Sequence, residues 1–195
     1  MATKKTDEVA SVNVEEKNVE VSVKDVDVSC NTEIKTSNKN KFFKISHEQF
    51  LKDNMNAQCR YEDIQVPKRA TKGSAGYDFY APFDFTITPG HSLKIPTGIR
   101  VRLNDLTMLA IVPRSSLGFK YKLKLDNTVA IIDSDYFYSD NEGHIWISMT
   151  NMSSDRVLNV KKGERFCQGI ILPYAITEDD DVTTIRNGGM GSTNS

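Results

Sequence analysis

At 195 residues the chain is long enough for one domain of ordinary size and an additional tail. Its 25 lysines and arginines nearly balance its 26 aspartates and glutamates, and a net charge of -1 excludes a global field that would attract nucleic acid or an anionic membrane. The sequence has neither an apolar signal-peptide segment at its start nor a run of about 18 apolar residues that could span a membrane. We therefore expect a cytoplasmic protein whose partners are neither nucleic acid nor membrane.

The cysteines and histidines argue against a disulfide framework and a protein-only metal site. The chain contains three cysteines, Cys30, Cys59 and Cys167. An odd number without a CxxC pair indicates reduced thiols rather than disulfides or a zinc site. The three histidines are widely spaced, at His47, His91 and His144. Neither a metal-ligand spacing nor a catalytic triad can be built around them.

The first 40 residues differ in composition from the rest of the chain. They contain many charges, no aromatic residue, and near-alternating valines between Val19 and Val28. The alternation permits a strand, but so little apolar surface cannot offset the entropy of ordering, which favours a disordered tail. Lys41–Asn54 then combines apolar residues with a candidate N-cap at Ser46, and predicts a short strand followed by a short helix.

From Pro67 onwards, short apolar runs alternate with Gly, Pro, Asp and Asn at close intervals. The main runs are residues 92–103, 107–113, 144–151 and 165–174. Many short strands with turn residues and no long amphipathic helix predict an all-β barrel or sandwich. In Phe119–Leu125 lysines alternate with apolar residues. We interpret this run as a two-faced strand with outward lysines rather than as a nucleic-acid platform.

Two stretches present polar groups directly after a glycine or a proline. In "SAGYDFYA" a glycine turn leads to Asp78 between two tyrosines, which alone indicates only a strand start with a solvated carboxylate. In "VPRSSLGFK" a buried run ends at a proline and then presents Arg114, Ser115 and Ser116. An arginine fork beside hydroxyls and backbone N–H groups suits phosphate oxygens, and an ordinary turn is the alternative.

The stretch "LDNTVAIIDSDY" leads an apolar strand, Val129–Ile132, into two carboxylates at Asp133 and Asp135. On an extended chain, side chains at positions i and i+2 point to the same face. Two carboxylates at such a short distance repel each other. The pair therefore needs a metal ion, another cation or solvent.

The last two stretches are "KKGERFCQGIILP" and the closing "RNGGMGSTNS". In the first, Gln168 lies within an otherwise apolar strand, where a buried amide needs a hydrogen-bond partner from the protein or from a ligand. In the second, three glycines leave backbone N–H groups that can wrap an anion. It is not a Walker A loop, because it lacks the GK[ST] ending and does not open a helix. The segment predicts either a frayed tail or an arm that orders over an anionic ligand.

Taken in order, these five stretches resemble the motifs of the trimeric dUTPase family, the deoxyuridine 5′-triphosphate nucleotidohydrolases. "AGYDFYA" is similar to the first motif, "PRSSLGFK" to the second, "NTVAIIDSDY" with "GHI" to the third, "GERFCQGI" to the fourth and "RNGGMGST" to the fifth. The resemblance covers the chain from Val66 to its end. It implies a jelly-roll-like, distorted β-barrel of short strands and a homotrimer with active sites at the subunit contacts. The implied reaction is hydrolysis of dUTP to dUMP and pyrophosphate, assisted by Mg2+.

The resemblance also implies a role for each motif residue. Asp133 would be the general base that activates the attacking water, and Asp78 would hold the hydrated Mg2+. The phosphate chain would be held by Arg114, Ser115, Ser116 and Gln168. The uracil and the deoxyribose would be bound by Asn127, Ile131, Ile132, Tyr136 and Trp146. An arm from a neighbouring subunit would close on the nucleotide with Arg186, Met190, Gly191, Ser192 and Thr193.

Three features depart from the family pattern. Met190 stands where a phenylalanine usually stacks on the uracil, and Arg186 lies one residue nearer the glycines than is common. The third motif carries the insertion Phe137–Gly143 in place of a tight turn. We expect a disordered tail over residues 1–40, a dUTPase-like β core over 41–176, and a flexible C-terminal arm over 177–195.

Two other functions stay open as alternatives. A dCTP deaminase resembles dUTPase in fold, but it should carry a catalytic glutamate in the hairpin strand and lack the "DSDY" pairing. A non-catalytic jelly roll that binds nucleotides for regulation would not need Asp78, Asp133 and Arg186 together. Hydrolysis of dUTP is therefore the main prediction.

Overall fold

The structure is a computed structural model that describes residues 39–184. This part of the chain is built mainly from short strands. The strands are β1 (Lys41–Lys44), β2 (Lys68–Arg69), β3 (Tyr77–Tyr80), β4 (Phe85–Ile87), β5 (Ser92–Pro96), β6 (Ile99–Arg102), β7 (Thr107–Pro113), β8 (Leu123–Leu125), β9 (Ala130–Ile132), β10 (Trp146–Asn151), β11 (Leu158–Val160) and β12 (Arg165–Pro173). The helices are α1 (His47–Lys52) and α2 (Ser115–Tyr121), with 3₁₀ turns at Met55–Ala57, Tyr61–Asp63 and Asp135–Tyr138.

Antiparallel pairing joins these strands into sheets. The largest sheet has the order β2-β3-β12-β7-β9, in which β12 pairs with β7 over Cys167–Pro173. The smaller sheets have the orders β5-β10-β8, β1-β6 and β11-β4. Residues from all four sheets contribute to one hydrophobic core. The predicted all-β, jelly-roll-like architecture of short strands is confirmed.

Alternation of buried and half-buried side chains accounts for β10, and a bulge accounts for the irregular register of β12. On β10, Ile147 and Met149 are buried while the residues beside them are half-buried. On β12, the register shifts between Arg165 and Cys167, and the successive residues Phe166 and Cys167 are both buried. A bulge inserts one extra residue into a strand and so re-aims the side chains around it.

The strand and helix predicted for residues 41–54 are confirmed. β1 pairs with β6, and Phe42, Ile45 and Phe50 are buried in the shared core. Ser46 is the N-cap of α1, because its Oγ accepts a hydrogen bond from the N–H of Gln49 at 3.0 Å. This segment is therefore an integral part of the β core.

The two-faced strand predicted for Phe119–Leu125 is wrong in its first half. Residues 119–121 belong to α2, and only Leu123–Leu125 form a strand. Phe119 is 89% exposed, so it does not supply the inward face that the alternation suggested. The left-handed backbone of Lys122 ends the helix. Over so few residues, apolar spacing does not separate a helical turn from a strand.

Several predictions concern residues outside the described range. These are all but the last two residues of the predicted tail, together with Cys30, Arg186, Met190, Gly191, Ser192 and Thr193. Within residues 39–184, no helix is both long enough and apolar enough to cross a bilayer.

Candidate active site

A pocket of about 150 Å³ opens between β9 and β10, and we call it the β9–β10 pocket. It is lined by Asn127, Ala130, Ile131, Ile132, Tyr136, Ile145 and Trp146. The tight turn before β9, where Thr128 has a φ of 67°, brings Asn127 to the rim. The structure thus brings together all five residues that the sequence predicts for binding of the base and the sugar.

Two aromatic side chains form walls of this pocket, and each has a fixed environment. Tyr136 is 7% exposed; its hydroxyl donates to the backbone oxygen of His144 at 2.9 Å and accepts from Asn141 Nδ2 at 2.8 Å. The ring of Trp146 lies 5.2 Å from the ring of His144 and 4.9 Å from Lys94 Nζ. Such contacts limit the positions that the two aromatic rings can take.

His144 is buried behind the pocket and is neutral. Its Nε2 accepts a hydrogen bond from the N–H of Gly98 at 2.9 Å, so the ring proton is on Nδ1, which lies 2.6 Å from Asp53 Oδ2. Burial lowers the pKa of His144 and outweighs the opposing effect of Asp53 and Glu142. This pair could not be predicted from residue spacing, because Asp53 and His144 are 91 residues apart.

Asp133 directly follows the pocket residue Ile132 and is half-buried. The expectation that Asp133 and Asp135 lie on one face of an extended chain is wrong. β9 ends at Ile132, and Asp135 begins a 3₁₀ turn that continues through Tyr136. The two carboxylates therefore do not share one face of a strand, and the turn brings Tyr136 back to the pocket.

A second group, made of predicted residues and Arg165, lies around Asp78, and we call it the Asp78 cluster: Asp78, Arg114, Arg165, Gln168 and the two serines 115 and 116. Asp78 is 5% exposed and contacts Arg114 Nε and Arg165 Nη1, each at 3.1 Å. Gln168 is the register partner of Asp78 on β12. Both serines are exposed at the start of α2.

The charges of this cluster favour an anion. One buried carboxylate stands between two guanidinium groups, whose side chains are 29% and 42% exposed. The excess positive charge therefore faces solvent. Arg165 was not among the residues predicted from the sequence. Arg165 lies at the bulge in "GERF". An alternation pattern does not mark such a position as functional.

Gly76, in the first motif, packs closely against Gln168 of this cluster. A Cβ at this position would lie 2.3 Å from Gln168 Oε1 and 3.0 Å from Gln168 Cδ. A larger residue at position 76 would therefore displace the Gln168 amide from the place it occupies here.

The two groups of residues lie at opposite ends of the large sheet within one chain. Ile132 pairs with Leu109, so Asp133 lies level with Met108, whereas Arg114 follows the other end of β7. The six residue steps from Met108 to Arg114, at about 3.3 Å each, separate them by roughly 20 Å. A triphosphate chain is much shorter than this distance.

Metal and thiol chemistry find little support from the protein alone. Among the described residues, no group of three His, Cys, Asp or Glu side chains could hold a metal ion. Cys59 and Cys167 are both free thiols. Burial raises the pKa of Cys167 well above its ordinary value, which makes it an unreactive core residue.

Comparison with known proteins identifies the family. A model of the dUTPase family matches residues 62–195. The chain belongs to the dUTPase family. The deoxyuridine 5′-triphosphate nucleotidohydrolase of Lactococcus lactis is 39% identical over 133 residues, which cover 67% of this chain and 88% of that protein. The chain is therefore a dUTP diphosphatase, and it hydrolyses dUTP.

Solved dUTPase structures support the fold. The dUTPase of Streptococcus mutans has a TM-score of 0.57 at 30% identity, covering 70% of this chain and 98% of that chain. A mutant dUTPase from phage phi11 of S. aureus, 18% identical, has a TM-score of 0.55 and covers 75% of this chain and 98% of its own. At that identity the likeness shows the fold alone. Residues 39–61, including β1 and α1, precede the region that the family model matches.

Proposed function

We propose that this dUTPase cleaves dUTP by attack of an Asp133-activated water on the α-phosphate, with the uracil in the β9–β10 pocket. The single observation that carries the proposal is the position of Asp133, which lies in sequence between the pocket residues Ile132 and Tyr136. A base bound in this pocket leaves its sugar and α-phosphate close to that carboxylate.

Asp133 acts as the general base. Water is a poor nucleophile, and a positioned carboxylate that accepts its proton contributes on the order of 10² to 10⁴ in rate. Asp133 must lie within hydrogen-bond reach of the attacking water, or reach it through one further water. The 3₁₀ turn that follows Asp133 supports this position because it fixes the chain on the C-terminal side of the carboxylate.

The β9–β10 pocket selects uracil and deoxyribose. Asn127, Ile131, Ile132 and Trp146 surround the base, and uracil is read largely by backbone groups of this hairpin. Cytosine carries an amino donor where uracil has a carbonyl, so cytosine leaves buried groups unpaired and is rejected strongly. Tyr136 lies against the deoxyribose and leaves no space for a 2′-hydroxyl.

The Asp78 cluster holds the phosphates, with Arg114, Ser115, Ser116 and Gln168 as the contacting side chains. Its two guanidinium groups match phosphate oxygens in charge and geometry. Mg2+ usually takes its ligands from one or two carboxylates, substrate phosphates and water, and Asp78 fits the carboxylate part of such a set. When bound, Mg2+ neutralises charge on the triphosphate. The dUTPase of phage phi11 contains a structural Mg(II) ion.

The family resemblance implies a homotrimer with shared active sites, and the separation of the two clusters supports the sharing. Because roughly 20 Å separates Asp133 from Arg114 along β7, one chain cannot apply both to one nucleotide. A neighbouring copy must supply the phosphate-binding half of each site. The arm of residues 177–195, with Arg186, Met190, Gly191, Ser192 and Thr193, then closes over the nucleotide as a lid. Two free thiols among the described residues are in keeping with a cytoplasmic setting.

Release of pyrophosphate from each of the deoxynucleoside triphosphates, with and without Mg2+, tests this function. We expect Mg2+-dependent release from dUTP and little from dCTP or dTTP. Ammonia from dCTP would indicate deaminase chemistry instead. Binding of nucleotide without any product would indicate a non-catalytic protein.

A further inference from the structure

The insertion Phe137–Gly143 is tied to the segment that precedes the family-matched region. Glu142 accepts two hydrogen bonds from Ser46, one from its N–H to Oε2 at 2.9 Å and one from its Oγ to Oε1 at 2.6 Å. Arg100 Nη1 lies 3.3 Å from the same carboxylate. Burial alone would raise the pKa of Glu142, but the bonds from Ser46 and the charge of Arg100 lower it below its ordinary value. The carboxylate is thus charged and fully engaged.

On its other side, the insertion holds the hydroxyl of Tyr136. Asn141 Nδ2 donates to that hydroxyl, while Asn141 Oδ1 accepts from the N–H of Gly143 at 3.2 Å and from Ser139 Oγ at 2.9 Å. The backbone is folded so closely that a Cβ on Gly143 would lie 2.6 Å from the oxygen of Tyr136. Asn141 therefore has a single orientation that suits all of its partners.

A second connection runs from α1 to Trp146. Asp53, the C-cap of α1, accepts from Gln49 Nε2 at 2.9 Å and from His144 Nδ1, and the ring of His144 lies beside Trp146. Both aromatic walls of the β9–β10 pocket are therefore linked to the segment Ser46–Asp53 through buried or half-buried polar groups. Hydrogen-bonded polar networks of this kind hold a geometry more strictly than apolar contacts do.

We propose that Ser46, Asp53, Asn141, Glu142 and His144 form a pocket brace that positions Tyr136 and Trp146 and so sets the preference of this enzyme for dUTP over UTP. This inference rests on the proposed function, because it assigns Tyr136 to the deoxyribose. The brace residues do not touch the reacting atoms; they are positioning residues. Loosening Tyr136 opens space for a 2′-hydroxyl, so brace variants admit UTP.

The ratio of kcat/KM for dUTP to kcat/KM for UTP tests the brace. This ratio does not depend on how much of a preparation is folded, so general destabilisation leaves it unchanged. Asn141→Ala removes the donor to Tyr136, and Asp53→Ala removes the partner of His144. Each lost hydrogen bond is worth a factor of roughly three to ten, and we expect the ratio to fall by that factor in each variant.

The matched control is Asp63→Asn. Asp63 lies on the same N-terminal segment and contacts Arg60 and Lys162, outside the β9–β10 pocket. We expect the parental ratio in this variant. If Asp53→Ala does not fold, the milder Glu142→Gln, which removes charge but keeps the side-chain shape, is measured in its place.

The outcomes separate this inference from the proposed function. A parent enzyme that prefers dUTP, with brace variants that prefer it equally, overturns the brace and leaves the function intact. A parent that does not distinguish dUTP from UTP overturns the assignment of Tyr136. Because Trp146 is the single tryptophan of the chain, quenching of its fluorescence by dUMP and by UMP gives the same comparison without catalysis.

Discussion

At the scale of single residues, Asp78 illustrates how charge balance prepares a phosphate site. Its carboxylate holds Arg114 and Arg165 in place and leaves their outer edges exposed. The residue therefore has two roles in our account, because it orients two cations in the resting protein and contacts Mg2+ when nucleotide binds. From its own stretch of sequence Asp78 reads as one solvated carboxylate between tyrosines, whereas it is buried; the Mg2+ role could be predicted only through the family resemblance, and the pairing with two arginines could not be predicted.

We predict that Asp78→Asn lowers kcat/KM for dUTP by roughly tenfold to a hundredfold and raises the Mg2+ concentration needed for half-maximal activity. An amide neither pairs with the two guanidinium groups nor attracts the cation as a carboxylate does. A Mg2+ titration at fixed dUTP measures this. Asp84→Asn serves as control, since Asp84 is exposed and its carboxylate accepts hydrogen bonds from Lys161 and Lys162, away from the Asp78 cluster. An unchanged Mg2+ requirement in Asp78→Asn would exclude it from the metal site.

The neutral His144 makes folding stability depend on pH. Its folded pKa lies below the ordinary value of 6.5, so the unfolded chain binds a proton that the folded chain does not. The contribution of His144 is fully present above pH 6.5 and is lost as the pH falls below that value, with a slope of at most about 1.4 kcal/mol per pH unit.

Denaturant unfolding of the parent and of His144→Gln between pH 7.5 and pH 5.5 measures this dependence. We expect the unfolding free energy of the parent to decline more steeply with acidification than that of the variant, because glutamine does not titrate. Asp53 and Glu142 face the ring, and Glu142, whose pKa is lowered, stays ionised over this range. Parallel curves would show that folding does not lower the pKa of His144.

At the scale of elements, strands and helices with a local sequence pattern could be predicted, whereas contacts between residues far apart in the sequence could not. Alternating strands such as β10 and the capped helix α1 follow from local patterns, and both are confirmed. The strand expected over residues 119–121 is helix instead, because a run that short fits either spacing. The five pocket residues could be predicted only through the family resemblance. The hairpin that joins them depends on which strands pair, and the spacing of apolar residues does not reveal strand pairing. The contacts of Arg165 and Asp53 could not be predicted at all, because their partners are 87 and 91 residues away.

The C-terminal arm carries a prediction at this scale. Removing residues 186–195 should lower turnover of dUTP by orders of magnitude, because the arm supplies Arg186 and backbone N–H groups to the phosphates. The β core is complete before this point, so the melting temperature should change little. Turnover of the shortened chain at the parental rate would rule out the lid.

At the scale of the whole molecule, the distance between Asp133 and the Asp78 cluster supports the proposed assembly. The strand register assigns them to opposite ends of β7, so in our proposal a working site draws on two copies of the chain. Oligomerisation is therefore a requirement of the chemistry in our account rather than a source of stability alone.

Mixing two variants of low activity tests the shared site. Asp133→Asn removes the base and Asp78→Asn weakens the phosphate half, and each homotrimer has little activity. After joint refolding at equal amounts, random exchange leaves about a quarter of the sites with both groups intact. Activity should rise to about that fraction of the parent. If the mixture is no more active than its components, each site is built within a single chain.

Asp133→Asn tests whether Asp133 takes the proton from the attacking water. Single-turnover hydrolysis of dUTP is measured alongside binding of dUMP to the β9–β10 pocket, followed by Trp146 fluorescence. We predict that the variant binds dUMP with nearly parental affinity and loses hydrolysis by a factor on the order of 10² to 10⁴. Hydrolysis at the parental rate in a variant that binds normally would contradict the account.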